Sequence, residues 1–118
     1  MNKYCIVGEI KPECVDDYIK FHEEIHKGVH KELLNIIKES GVKEEAVFMY
    51  KNLAIIYFEA EDLDKCYEFQ NKFETTKKWD ALMKPLFVSN YEFSTSKKIP
   101  VLRKVFDLNE QLKGKLNP

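Results

Sequence analysis

The architecture of this chain depends most on one apolar hexapeptide, Leu53-Ala54-Ile55-Ile56-Tyr57-Phe58. Its β-branched and aromatic residues are typical of a strand, in which successive side chains point to opposite faces of the sheet. Both alternating sets are apolar here, whereas a strand with one face in water has polar residues at every second position. We therefore expect both faces of this strand to be covered.

The segments on either side of the hexapeptide complete an α+β pattern. We predict a strand over residues 4–10, a helix over 13–40, strands over 45–50 and 53–60, two short helices or one broken helix over 62–73 and 74–87, a loop over 88–98 and a last strand over 101–108. Pro12 suits a first helical turn and Gly41 a helix end. Lys51-Asn52 leaves room only for a tight hairpin turn.

This order of elements is the ferredoxin-like βαββαβ arrangement, an antiparallel sheet with helices on one face. Since the helices cover only one face, a second copy of the same sheet is the simplest cover for the other. A C-terminal tail that folds over the sheet is the alternative. We expect residues 1–108 to form a single domain and residues 109–118 to form a C-terminal tail.

Charge and hydropathy exclude several classes of protein. The 118 residues include 19 Lys and Arg against 20 Asp and Glu, and no basic cluster marks a nucleic-acid surface. No apolar run reaches membrane-spanning length, and the N-terminal residues do not have the pattern of a signal peptide, so we expect a cytoplasmic protein. The three cysteines are widely spaced and contain no CxxC pair, which argues against a disulfide framework or a cysteine zinc site.

The predicted first helix carries Tyr18, His22 and His26 on its apolar face, one turn apart, with His30 at the edge of that face. A buried imidazole without a partner costs about 1–3 kcal/mol, so it is expected to be paired or to line a cavity. We predict that these side chains line a pocket. A satisfied polar cluster in the core is the alternative.

His22-Glu23-Glu24-Ile25-His26 also matches the HExxH zinc motif, in which two histidines bind the metal and the glutamate activates a water. Zinc hydrolases need a third ligand, which Glu44 or Glu45 could supply only if the next strand folds back towards the helix. Glu23 moreover points about 100° away from the histidine face. A zinc-dependent hydrolase that uses His22 and His26 stays an alternative.

Trp79 is the sole tryptophan and lies in an amphipathic helical segment. Its indole could close the helix onto the sheet as a packing residue. It could equally stack on the C–H face of a sugar ring while its N–H donates to a hydroxyl.

Several short segments, in this order and spacing, resemble the L-rhamnose mutarotases. They are the opening strand, Lys11-Pro12, Tyr18-Ile19-Lys20-Phe21-His22, the paired strands around Phe48 to Glu59, Trp79-Asp80-Ala81-Leu82-Met83, and Val105-Phe106-Asp107-Leu108. The resemblance extends through nearly the whole chain to about Leu108. Many members have a second tryptophan at the position of Asp80 and a tyrosine at that of Glu45.

The resemblance implies a homodimer with sheet packed on sheet, a dimeric α/β barrel that binds a monosaccharide and needs no cofactor or metal. It implies that His22 is the proton donor and that Tyr18 and Trp79 contact the sugar. The first helix is about one turn longer than is usual in the family, so His26 could take the place of His22. As the complement of His22 in proton transfer we expect His26 or a carboxylate. The implied activity is interconversion of the α and β anomers of L-rhamnose or a related deoxysugar by acid/base ring opening and closure.

Three other functions stay open at the level of sequence. They are the zinc-dependent hydrolase, a non-catalytic dimer that binds a small ligand, and a cofactor-free monooxygenase or haem-degrading relative on the same scaffold.

Overall fold

The apolar hexapeptide lies in the central strand of an antiparallel sheet. The computed structural model describes residues 1–88 and 101–114, and its strands are β1 (Asn2–Glu9), β2 (Glu44–Tyr50) and β3 (Leu53–Ala60). Their order in the sheet is β1-β3-β2. Ile56 of β3 lies opposite Ile6 on one side and Val47 on the other, so this register puts apolar residues of all three strands on one face.

Helices pack on that face and bury the core between themselves and the sheet. They are α1 (Val15–Glu23), α2 (Glu32–Glu39), α3 (Leu63–Gln70) and α4 (Glu74–Met83), and a fifth short helix, α5 (Leu108–Leu112), follows later in the chain. Phe58 and Ile6 pack with Leu63 and Tyr67 of α3, whereas Ala54 packs with Tyr18 and Met83. The two short helices predicted over residues 62–87 are confirmed.

The hairpin predicted at Lys51-Asn52 is also confirmed, since Tyr50 pairs directly with Leu53. Lys51 adopts a φ of 54°, in the left-handed region that L side chains rarely enter. Asn52 holds the turn against the end of β1, because its side-chain amide donates to the Ile10 carbonyl at 3.0 Å.

The single long helix predicted over residues 13–40 is wrong, because the chain leaves the helix after Glu23. A 3-10 turn over Ile25–Lys27 follows, and then Gly28 adopts an extended conformation before α2 begins. Glycine favours such a break because its backbone pays the largest entropy cost in a helix. Gly41, with a φ of +106°, ends α2 at the predicted place.

The last strand predicted over residues 101–108 is wrong for most of its length. Val101 forms one isolated antiparallel bridge with Ile6, and residues 102–106 form no regular element. Asp107 instead caps α5, accepting a hydrogen bond from the Glu110 backbone N–H at 3.2 Å. Most of the loop predicted over residues 88–98 lies outside the described residues.

The second face of the sheet carries large apolar side chains that α1 to α4 do not cover. Residues 102–108 lie beside Cys5 and Tyr57 at one side of this face. Phe48 and Tyr50 of β2 are 61% and 60% exposed. Val7, Ile55 and Tyr57 on the same face are half-buried. Within residues 1–88 and 101–114, no helix is both long enough and apolar enough to cross a bilayer.

Candidate active site

A cavity of about 100 Å³ lies between the helices and the covered face of the sheet. It joins a wider open groove of about 850 Å³ beside β2. Six residues line both spaces and therefore form the mouth of the cavity: His22, Leu33, Ile37, Glu45, Val47 and Trp79.

Tyr18 and His22 lie one turn apart on α1, and both line the cavity. Their ring centroids are 4.2 Å apart, and His22 Nδ1 lies 2.8 Å from the Tyr18 carbonyl oxygen. A carbonyl oxygen can only accept, so Nδ1 carries the proton and Nε2 keeps its lone pair. Burial lowers the pKa of His22, which favours this neutral form.

The Tyr18 phenol is only 2% exposed, and burial raises its pKa far above neutrality. The hydroxyl therefore stays protonated and can serve as a hydrogen-bond donor to a ligand in the cavity.

Trp79 of α4 forms the wall that faces α1. Its ring makes an edge-on contact with His22, at a centroid distance of 5.2 Å, and another with His30 at 5.5 Å. The structure thus brings Tyr18, His22 and Trp79 together at one cavity. His26, predicted to share the apolar face with them, instead lies exposed in the 3-10 turn and does not line the cavity.

Two acidic residues join this group, and the sequence alone did not assign them to the site. Glu45 of β2 and Asp80 of α4 both line the cavity. Glu45 is exposed along the groove, and desolvation by the protein atoms around its carboxyl raises the pKa to about 7. A charged residue at a core-facing position of a strand, in alternation with Val47 and Met49, was the signal that could have revealed Glu45.

The cavity also has a polar inner lining. Thr76 is 5% exposed, and its hydroxyl has no hydrogen-bond partner among the residues that the structure describes. The buried Gln70 amide nitrogen donates to Ser40 Oγ at 3.0 Å, which leaves its amide oxygen for the cavity. A polar molecule with hydroxyl groups would satisfy these atoms better than an apolar one.

The structure does not bring together the ligands of the zinc site that the HExxH motif suggests. Because α1 ends at Glu23, His22 and His26 do not share one helical face, and His26 is exposed outside the cavity that His22 lines. In the described part of the chain no three His, Cys, Asp or Glu side chains are grouped to hold a metal ion.

The chemistry that these side chains can perform is proton transfer. The mouth combines a neutral imidazole with a free Nε2 and a carboxyl group whose pKa is about 7. General acids and bases work best when their pKa lies near the working pH. An aromatic wall and buried hydroxyls beside them suit a small polyhydroxylated molecule.

This chain is similar to a known protein family and to a protein from another organism. A family model described as L-rhamnose mutarotase matches residues 3–108. A UPF0734 protein from Dictyostelium discoideum is 33% identical over 76 residues, a match that covers 61% of this chain and 58% of that protein. The match therefore spans less than two thirds of the relative's length.

Two solved structures share the fold. An L-rhamnose mutarotase from Formosa agariphila is 17% identical, with a TM-score of 0.66 over 91% of this chain and 98% of that one. Tetracenomycin F2 cyclase from Streptomyces glaucescens, a type-II polyketide cyclase, is 13% identical, with a TM-score of 0.53 and the same two coverages. These likenesses confirm the predicted α+β, ferredoxin-like fold class.

Proposed function

The chain belongs to the L-rhamnose mutarotase family, and we propose on this basis that it interconverts the α and β anomers of L-rhamnose or a related deoxysugar. The single observation that carries the proposal beyond family membership is the convergence of Tyr18, His22 and Trp79 on one cavity. Tyr18 and His22 lie on α1 and Trp79 lies on α4, so side chains far apart in the sequence line the same cavity.

The proposed reaction is acid/base opening and closure of the sugar ring. The anomeric hydroxyl loses its proton while the ring oxygen gains one, and closure on the other face of the aldehyde reverses these transfers. His22 Nε2 takes and returns the proton of the anomeric hydroxyl, because Nδ1 is held by the Tyr18 carbonyl. Tyr18 donates to a sugar hydroxyl, and the Trp79 indole holds the ring. The reaction needs only proton transfer, so we propose no metal or cofactor.

We further propose that the protein works as a homodimer. The support is the apolar face of the sheet away from the helices, where Phe48 and Tyr50 are exposed beside the half-buried Val7 and Ile55. The cytoplasmic location stays a prediction from the sequence.

Saturation-transfer NMR on rhamnose, fucose and galactose tests the proposed activity, because it measures anomer exchange directly. Replacing His22 with Asn is expected to slow exchange by about 10²- to 10⁴-fold, the usual contribution of a general acid/base. Asn keeps a polar side chain of similar size but cannot carry the proton.

His26→Asn is the matched control, since His26 is exposed and lies outside the cavity. It is expected to leave the exchange rate within about twofold, as for a residue that does not touch the reacting atoms. Undiminished exchange in His22→Asn would remove His22 from the proposed role. Sugar binding without any exchange would favour the non-catalytic alternative.

A further inference from the structure

Glu45 is a charged residue at the mouth of the cavity to which the roles of His22, Tyr18 and Trp79 assign nothing. We propose that Glu45 is the second proton carrier, which serves the ring oxygen while His22 serves the anomeric hydroxyl. This inference rests on the proposed function and adds a specific catalytic residue to it.

The position of Glu45 is fixed by the register of the sheet. It lies opposite Phe58 of β3 and on the same face as Val47, which is the face covered by the helices. Together with His22 and Trp79 it lines both the inner cavity and the outer groove. The carboxyl, the imidazole and the indole therefore all lie at the mouth through which a molecule enters the cavity from the groove.

The Glu45 carboxyl is also chemically available. Within residues 1–88 and 101–114 no hydrogen bond or ion pair engages it, and burial is what shifts its pKa. With a pKa of about 7, the carboxyl can give up and take back a proton near neutral pH.

Other titratable groups lie around Glu45, and the two tyrosines among them are poor proton carriers. The groups are Tyr18, Tyr67, Asp80 and His22 on the cavity side, and Glu23, Lys38, Lys43 and Glu44 along the groove. Burial raises the pKa of both tyrosines far above neutrality, and the Glu45 charge adds to that shift. Their protons are therefore held too tightly to be exchanged near pH 7.

The two carriers balance the reaction without a further reactant. His22 Nε2 takes the proton from the anomeric oxygen O1, the C1–O5 bond breaks, C1=O1 forms, and the ring oxygen O5 receives the proton of Glu45. The aldehyde then rotates about the C1–C2 bond. When O5 attacks the other face of C1, its proton returns to Glu45 and O1 regains a proton from His22.

This pairing predicts a bell-shaped pH dependence of exchange. Below the lowered pKa of His22 the imidazole binds a proton and can no longer act as the base, so the rate falls towards acid. Above about pH 7 the Glu45 carboxyl loses the proton that it donates, so the rate falls again.

The test compares the exchange rates of Glu45→Gln and wild type between about pH 5 and about pH 9 on a sugar that wild type converts. Gln keeps the shape of the side chain but cannot transfer a proton. We expect kcat to fall at least about tenfold, KM to change little, and the fall of the rate above pH 7 to disappear. Glu39→Gln, an exposed carboxylate at the end of α2, is the control and should keep both the rate and the pH profile.

A double variant, His22→Asn with Glu45→Gln, separates a concerted pair from two independent effects. If both residues serve one proton-transfer step, the double variant should be no slower than the slower single variant. Far-UV circular dichroism of each variant confirms that it is folded.

The failure of this inference is distinguishable from the failure of the proposed function. If wild type exchanges none of the sugars, both fall together. If wild type exchanges a sugar and Glu45→Gln keeps the rate and the basic limb, only the role of Glu45 is overturned. A lowered but measurable rate in Glu45→Gln with both pH limbs unchanged would likewise reduce Glu45 to a binding residue and overturn the proposal.

Discussion

At the scale of single residues, Thr76 adds a buried hydroxyl to the polar lining of the cavity. Its hydroxyl is buried against the cavity and has no partner in the part of the chain that the structure describes. A buried hydroxyl left without a hydrogen bond costs about 1–3 kcal/mol. A protein that keeps such a group at a binding cavity offers it to the ligand, and we expect a sugar hydroxyl to bond there.

Replacing Thr76 with Val should therefore have opposite effects on stability and on binding. Val has nearly the same shape and removes the unsatisfied hydroxyl, so the free energy of unfolding of the sugar-free protein should rise by about 1 kcal/mol. The KM for the sugar should rise up to about tenfold, with little change in kcat. Urea denaturation and exchange NMR give these two numbers.

Thr75→Val is the control for this change, because Thr75 is the neighbouring threonine on α4 and does not line the cavity. It should leave KM unaltered. A loss of stability in Thr76→Val would mean that the hydroxyl already has a partner in the free protein, which would contradict its assignment to the ligand.

The sequence predicted a good part of the site at this scale, for a physical reason. A spacing of four residues puts Tyr18 and His22 on one face of any helix, so their neighbourhood could be deduced before the fold was known. Glu45 and Asp80 could not be deduced in this way. Their place in the cavity depends on the register of β2 and on how α4 crosses the sheet, which no local pattern contains.

At the scale of elements, the close contact between β1 and the segment after α4 shapes one wall of the cavity. A Cβ at Gly8 would lie 2.5 Å from Cε1 of Phe87. Phe87 is itself buried and meets the Tyr18 ring edge-on at a centroid distance of 5.8 Å. Gly8 thus lets the strand approach the ring that supports the Tyr18 side of the cavity.

Gly8→Ala should destabilise the protein by about 1–3 kcal/mol, because the new Cβ would overlap the buried Phe87 ring and force it to move. The displaced ring should also disturb Tyr18 and lower the exchange rate. Denaturant unfolding, followed by circular dichroism, measures the first effect.

Gly28→Ala provides the comparison, since a Cβ there would meet its nearest atom at an ordinary 3.9 Å. Its effect should stay within about 0.5 kcal/mol. Equal stability of the Gly8 and Gly28 variants would show that Phe87 is free to move and would refute the tight contact.

Each mistaken prediction at this scale followed a local sequence pattern that contacts elsewhere in the fold overrode. The apolar period of residues 13–40 continues across the break at Gly28, because both α1 and α2 bury one face on the same sheet. Residues 101–108 have the composition of a strand, but Asp107 binds Lys3 at 2.7 Å and caps a helix instead. The hairpin and the helix end at Gly41 were predictable because short-range turn geometry decides both.

At the scale of the whole molecule, the face of the sheet away from the helices exposes large aromatic side chains to water. Phe48 and Tyr50 project from β2 on the side away from the helices. Two adjacent aromatic side chains in water cost free energy that association would recover, since apolar burial contributes about 25 cal/mol per Å².

The dimer proposal predicts that Phe48→Lys shifts the protein to a monomer, because two like charges would be buried at the centre of the interface. Sedimentation equilibrium measures the change in mass. Val29→Lys, at an exposed apolar residue away from the sheet, should leave the mass unchanged. A wild-type protein that sediments as a monomer would refute the proposal directly.

The junction between the inner cavity and the outer groove has one more consequence. The outer space is several times larger than the inner one, and the residues that line both include His22, Glu45 and Trp79. Such a vestibule admits long saccharides, but only a single terminal unit fits beyond its neck. The protein would then act on the reducing terminal unit of a saccharide, while any further units lie in the outer groove.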